Sequence, residues 1–336
     1  MKNRLLYFLS LWIFLVFISP TGVTAMDKRL PISRGVNMGN ALEAPIEGQW
    51  GVIIRDEYFK LIKNAGFDHV RIPVRWSALA DVKPPYTIEN SFFNRVDHVV
   101  NEALKSGLYV ILNIHHYEEI MQRPEQHKDR FLKIWEQLSI HYKDYPEALW
   151  FELLNEPCNY LNSKLWNQYL KEAISIIRKT NPKRKIIVGP TDWNSIYKLN
   201  ELEIPNDPNL VVTFHYYNPF QFTHQGAEWV NPSPPIGTKW LGTAIEKFII
   251  SGELDMAVEW SKRHNNVPLF LGEFGTYSKA DMDSRVRWTS YIARSAEQRN
   301  IAWCYWEFCA GFGIYDPYRE EWRTPLLKAL IPTKDK

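Results

Sequence analysis

The sequence predicts an α/β fold, a single (β/α)8 barrel, on three observations. Eight short, apolar, β-branched runs recur along the 336 residues, helix-period segments lie between them, and the length fits one large domain better than two average ones. The runs are Ile32–Asn37, His69–Val74, Leu108–His115, Leu149–Asn155, Lys185–Gly189, Leu210–His215, Pro268–Glu273 and Ile301–Trp306. Several are almost continuously apolar, as expected for strands covered on both faces of a parallel sheet. The expectation is therefore a TIM barrel with elaborated βα loops over residues 26–336. An open doubly wound sheet is the structural alternative, disfavoured because no Gly-x-Gly-x-x-Gly follows the first run.

In chain order, residues 1–25 are expected to lie outside this fold. Lys2 and Arg4 precede an apolar run from Leu5 to Ile18, Pro20 breaks it, and Val23-Thr24-Ala25 supplies small residues for cleavage after Ala25. That is the layout of a secretory signal peptide. An uncleaved anchor is the alternative, although the run is short for a span of about 20 residues. The formal net charge of +2 disappears with Lys2 and Arg4. A neutral mature chain gives no reason to expect a nucleic-acid or membrane partner. It is expected to be secreted and monomeric.

The helical segments follow. Ser91–Ser106 sets Phe92, Val96, Val99, Val100, Ala103 and Leu104 on one stripe, and Gly107 stands where a glycine cap would. Asp129–Tyr142, Leu165–Thr180 and Asp281–Arg299 carry the same period. Trp150, Trp166 and Trp288 lie within these elements and are expected in the core. No Pro/Ser/Thr-rich linker interrupts the chain, so one domain without an appended binding module is expected. The segment from Tyr216 to about Gly242 is long for a connection in a compact domain, which points to a functional loop. The three cysteines, Cys158, Cys304 and Cys309, cannot form a complete disulfide framework and lack zinc-site spacing. Buried thiols are expected, with a Cys304–Cys309 bridge left open.

In such barrels the C-terminal strand ends converge on one mouth. The residues at those ends are Asn37 and Asn40, Arg71 and Arg75, His115 and His116, Asn155 and Glu156, His215 and Tyr217, Glu273, and Trp306 with Glu307. Glu156 and Glu273 end the fourth and seventh runs, so they can face each other. Two facing carboxylates suit glycosidic bond cleavage, one as nucleophile and one as acid/base, at about 5–5.5 Å for a retaining enzyme. A strand-end glutamate in a structural ion pair is the competing reading for each. His115 and His116 are not expected to bind a metal, because neighbours on a strand point to opposite faces and no His-Glu-x-x-His helix is present. No metal and no cofactor is expected. Trp229 and His224, in the long loop, are candidates for a cleft wall, with loop packing as the alternative.

Seven motifs in order resemble glycoside hydrolase family 5, the cellulase family. They are Arg34-Gly-Val-Asn-Met-Gly-Asn40, His69-Val-Arg71-Ile-Pro-Val-Arg-Trp76, Ile114-His115-His116-Tyr117, Asn155-Glu156-Pro157, His215-Tyr216-Tyr217, Gly272-Glu273-Phe274-Gly275 and Trp303-Cys-Tyr-Trp306-Glu307. The chain most resembles the family's bacterial endoglucanases, including thermophilic ones with mixed glucan and mannan activity. The resemblance implies Glu156 as acid/base and Glu273 as nucleophile, with Arg71 and Tyr217 holding the nucleophile. It implies that Asn155 meets the sugar 2-hydroxyl, that His215 positions the acid/base, that Asn40, His115 and His116 bind sugar, and that Trp306 lies under it. The implied function is a secreted endo-β-1,4-glucanase that hydrolyses cellulose or β-glucan by retaining double displacement. A β-1,4-mannanase or dual-specificity glucanase/mannanase is the alternative, since glucose and mannose differ only at C2. A non-catalytic glycan-binding barrel is the non-enzyme alternative, disfavoured because both carboxylates are present. On this reading Arg71 is expected to lower the pKa of Glu273, while burial and a neighbouring carboxylate raise that of Glu156.

Overall fold

The computed structural model describes residues 29–332, so segment 1–25, expected to be a signal peptide, lies outside the described residues. Eight parallel strands close into a barrel in sequence order: β1 (Arg34–Asn37), β2 (His69–Ile72), β3 (Tyr109–Asn113), β4 (Leu149–Glu152), β5 (Ile186–Val188), β6 (Leu210–His215), β7 (Leu269–Phe274) and β8 (Ala302–Tyr305). Each falls within or nearly within its expected run. Most end earlier, because the polar residues at the run ends have left the ladder for the loops that carry the site.

Helices cover the outside. Asn90–Lys105, Pro124–His141, Ser163–Arg178 and Met282–Gln298 answer the four expected segments. Gly107 takes a left-handed φ of 76° just past the first of them, which a residue with a Cβ rarely adopts. The Asn162 and Asp281 side chains cap the third and fourth. Glu57–Ala65 and Ala244–Arg263 complete two further β/α units, the latter opened by a capping box between Thr243 and Glu246. One unit departs from the pattern. Between β5 and β6 the chain makes a short turn at Thr191–Asn194 and a 3-10 helix at Ile196–Glu201 instead of a full α-helix. Among the described residues no helix is long and apolar enough to cross a membrane.

The core has two parts. The larger lies between strands and helices and includes Trp166 and Trp288. The smaller, built on Ile111, Trp150, Ile187, Val211 and Phe270, fills the barrel interior. Strand side chains alternate, so the residues two places further along the same faces are Asn113, Glu152, Gly189, Thr213 and Gly272. The barrel is thus plugged with apolar groups below and floored with polar or small ones above. Cys158, Cys304 and Cys309 are free and buried, which closes the question of a Cys304–Cys309 bridge.

Gly35 on β1 is set by close approach. A Cβ there would lie 2.2 Å from Nε2 of His69, whose ring is buried and fixed by a 2.6 Å bond from Nδ1 to Asp68. Gly35→Ala is expected to destabilise the protein by about 1–3 kcal/mol through overpacking. Thermal unfolding checks this, and an unchanged Tm would contradict the packing account.

Candidate active site

Arg71 is the centre of the polar floor. It is wholly buried on β2, and all five guanidinium N–H groups are used. Nε and Nη2 donate to the two Glu152 oxygens at 2.6 and 2.8 Å. Nη1 donates to Asn37 Oδ1 at 2.8 Å and Glu273 Oε1 at 2.6 Å, and Nη2 also donates to Asn155 Oδ1 at 2.7 Å. A fully satisfied fork of this kind can hold two buried carboxylates that would otherwise be expensive to desolvate. Asn37 is in turn held by the carbonyls of Gly272, Cys304 and Tyr305. Glu152 is a site residue that strand-end reasoning misses, because it lies inside the run. Its signal was available: a carboxylate within the apolar stretch Leu149-Trp-Phe-Glu-Leu-Leu needs a buried partner.

Glu273 would face away from the mouth in a regular strand, since Phe270 and Gly272 already point inward. The β6–β7 register shifts at Phe214/His215 and the β7–β8 register shifts between Leu271 and Phe274. Irregularities of this type re-aim a side chain. Glu273 Oε2 accepts a 3.0 Å hydrogen bond from the Tyr217 hydroxyl and lies 3.6 Å from His215 Nδ1. Glu156 follows β4 in a left-handed conformation, φ 49°, an uncommon state for a residue with a side chain. Its Oε1 is 2.7 Å from the same His215 Nδ1, and a quarter of its side chain remains open. Asn194 Nδ2 lies 3.2 Å from His215 Nε2.

The electrostatics separate the two carboxyls. Burial raises Glu156 to about 7, against the opposing pull of Arg71 and with a further push from Glu152. Burial also raises Glu273, and His215 and then Arg71 hold it down in part. Arg71 lowers Glu273 as expected, but not by enough to cancel the effect of burial. Desolvation outweighs the guanidinium, because the Arg71 charge is shared with Glu152. Burial lowers His215 to about 4, so it is neutral at pH 7.

The other expected residues group around this centre. His115 lies parallel to Trp306, 8° between planes and 5.7 Å between centroids, and perpendicular to His116 at 4.6 Å. These histidines are not strand neighbours on opposite faces as expected. β3 ends at Asn113, and His116 has φ 48°, which turns both rings toward one wall. Asn40, also left-handed, gives its backbone N–H to Glu43. His224 is buried, stacked on Phe220 at 4.2 Å and set edge-on to Tyr217, so it backs the tyrosine. Trp229 is 59% exposed and meets Tyr277 edge-on. Glu307, at the mouth in the sequence reading, is fully buried and accepts N–H groups of Cys309, Ala310 and Phe312.

Glu156, His215 and Glu273 bring one ligand-type atom each within 4.8 Å of one another. The Arg71 guanidinium 2.6 Å from Glu273 opposes a cation there, and the His215 nitrogens already face Glu156 and Asn194. The trio is better described as an acid–imidazole–carboxylate cluster in which Glu156 is the member that reaches solvent. Its two carboxyls differ in proton affinity, so one can give a proton while the other acts as an anion.

A family model for cellulase (glycosyl hydrolase family 5) matches residues 33–311. The chain is 39% identical to endoglucanase H of Acetivibrio thermocellus over 86% of its own length, and it spans 31% of that longer protein. The structure of Thermotoga maritima Cel5A in complex with cellobiose is similar with a TM-score of 0.89 at 52% identity, covering 91% of this chain and 100% of that one. The structure of Thermotoga maritima Cel5A in complex with mannotriose gives a TM-score of 0.89 at 51% identity, with 91% and 100% covered.

Proposed function

The chain belongs to the cellulase family, glycosyl hydrolase family 5, and from that premise we propose that it is an endo-β-1,4-glucanase working by retaining double displacement. The observation that carries the reading is the 4.8 Å cluster of Glu156, His215 and Glu273. It brings one oxygen of each carboxyl within 4.8 Å of the other, which fits the spacing of about 5–5.5 Å in a retaining pair better than the about 6.5–9.5 Å of an inverting one. Glu156, protonated below about 7, gives its proton to the glycosidic oxygen. Glu273, aligned by Arg71 and Tyr217, attacks the anomeric carbon and forms a glycosyl-enzyme. Esterification removes the Glu273 charge, and Glu156, now a carboxylate, takes a proton from the water that releases the sugar. Asn155, held by Arg71, meets the sugar 2-hydroxyl on this reading. On the same reading Trp306, His115, His116 and Asn40 bind sugar, and Trp229, which is largely exposed, contributes to a cleft wall.

The proposal includes secretion, with residues 26–336 as the catalytic segment. Its support is the charged start, apolar run and small residues before position 26. A mannan or glucomannan substrate is the second reading, favoured by the mannotriose complex of the similar Thermotoga maritima enzyme. Rates on carboxymethyl cellulose, barley β-glucan and glucomannan, with NMR of the first reducing sugar, test both. The β anomer should appear first; early α anomer would mean inversion, and inactivity on every β-glucan would remove the leading reading.

The pH profile follows from the two carboxyls. Activity needs Glu156 protonated and Glu273 ionised, so kcat/KM is expected to fall as pH rises through about 7. It should also fall on the acid side as Glu273 gains its proton, above the ordinary carboxyl range. Glu156→Gln should abolish the basic limb, and a limb that persists would belong to another group.

A further inference from the structure

Asp192, Trp193 and Asn194 are consecutive residues with side chains and φ values of 60°, 59° and 54°. Left-handed backbone is unfavourable for L-residues and is visited singly, mostly by Gly, Asn and Asp; three in a row with a tryptophan in the middle is strain that the surroundings must hold. They do. The Thr191 and Ser163 hydroxyls bond at 2.8 Å, the Ser195 N–H reaches Thr191 O, and Ser195 bridges to His215. Gly189 opens the space, since a Cβ there would lie 2.3 Å from Asn194 Oδ1. Gly272 does the same on the other side, where a Cβ would lie 3.0 Å from His215 Nε2. The outcome of this construction is one contact: Asn194, fully buried, sets Nδ2 3.2 Å from His215 Nε2, while its Oδ1 has no hydrogen-bond partner.

We infer that Asn194 is a positioning residue for the acid/base: its amide donates to His215 Nε2, locks the imidazole as the Nδ1–H tautomer and so decides which oxygen of Glu156 carries the proton. The inference rests on the retaining mechanism proposed above. His215 Nδ1 faces only carboxylate oxygens, Glu156 Oε1 at 2.7 Å and Glu273 Oε2 at 3.6 Å, so it is the nitrogen that should carry hydrogen. A neutral imidazole with hydrogen on Nδ1 has a bare lone pair on Nε2, which needs a buried donor. Asn194 supplies it. Nδ1–H then donates to Oε1, and the catalytic proton of Glu156 is left on Oε2, for the leaving group. Without the amide the imidazole can carry hydrogen on Nε2 instead. Nδ1 would then accept the Glu156 proton and withdraw it from the cleft. The charged and titratable groups that surround the pair are Arg71, His115, Glu118, Glu152, Cys158, Tyr217 and Glu273. None of them lies within hydrogen-bond distance of Nε2.

Three measurements test this. In the wild-type protein near pH 6, side-chain nitrogen NMR should show His215, assigned with His215→Gln, protonated at Nδ1 and bare at Nε2; the reverse tautomer would overturn the inference. Asn194→Gly relieves the left-handed backbone, so a merely structural role predicts a stable, unimpaired enzyme. The inference predicts that kcat/KM, which reports the glycosylation step, falls about tenfold or more for aryl β-cellobiosides with poor leaving groups, and changes less than about twofold for a dinitrophenyl leaving group that needs no acid. Equal loss on both would sink it. In Asn194→Asp a carboxylate beside Nε2 favours the imidazolium, whose charge favours ionised Glu156. The basic limb of kcat/KM should therefore move about one pH unit lower, and an unmoved limb would also sink it. Absence of wild-type hydrolysis on any β-glycan would instead count against the proposed function, and the NMR result would still decide the tautomer.

Discussion

Glu273→Ala is expected to lower kcat on β-glucan by roughly 10⁴-fold or more, the scale on which removal of a covalent nucleophile acts. The fold should survive. Arg71 keeps four of its five hydrogen bonds, to Glu152, Asn37 and Asn155, so no buried cation is left alone. Binding of oligosaccharide should persist, because the aromatic wall of Trp306, His115 and His116 is untouched. The space vacated by the carboxylate also allows a chemical check. Azide can enter and attack the anomeric carbon directly, giving the α-glycosyl azide by a single inversion from a substrate with a good leaving group. Glu156→Ala should give the β-glycosyl azide instead, since there Glu273 still forms the glycosyl-enzyme and azide opens it. Unchanged turnover in Glu273→Ala would end its assignment as nucleophile, and azide products of the opposite configurations would exchange the two roles.

Arg71→Met should have the largest effect on stability. It removes the cation shared by Glu152 and Glu273 and leaves Asn37 and Asn155 without their donor, all within the barrel interior. Breaking a buried pair by deleting one partner costs about 3–5 kcal/mol. For a domain of this size that corresponds to a fall in Tm of about 5–8 °C. The deficit should depend on pH. Without the guanidinium Glu273, already raised by burial, loses a cation that holds it down, so its folded form favours the protonated acid and stability is lost as pH rises through its folded value. Thermal unfolding of the variant at pH 5 and pH 8 would show a larger gap from wild type at pH 8. An equal gap at both would mean that packing, not charge, is the role of Arg71. Arg71→Lys should recover only part of the loss, because an ammonium offers three donors where five acceptors wait.

Much of this molecule was legible from residue pattern. The eight apolar runs became the eight strands because parallel barrel strands are covered on both sides and must be apolar along their length. The four helical segments kept their period because each buries one stripe. The motifs also placed Arg71, Asn155, Glu156, His215, Tyr217 and Glu273, and these six meet in one hydrogen-bonded network. The fifth β/α unit was not legible: its turn carries three left-handed residues and a 3-10 helix, states that only tertiary contacts can impose. Glu152 was overlooked because attention fell on run ends, although an acid inside an apolar run is itself a sign of a buried partner.

The sequence by itself determined the barrel, its order of strands and the identity of the ionisable groups at its mouth, since those follow from hydrophobic period and from which residue types stand at the strand ends. Tertiary structure alone decided what those groups are worth. The aim of Glu273 depends on register shifts between β6, β7 and β8, which no alternation pattern contains. Its proton affinity, and the higher one of Glu156, depend on how much water the folded mouth excludes and on how Arg71 divides its charge between Glu152 and Glu273. Desolvation and shared charge are properties of an assembled site, so a chain can announce its carboxylates but not which of them will hold the proton.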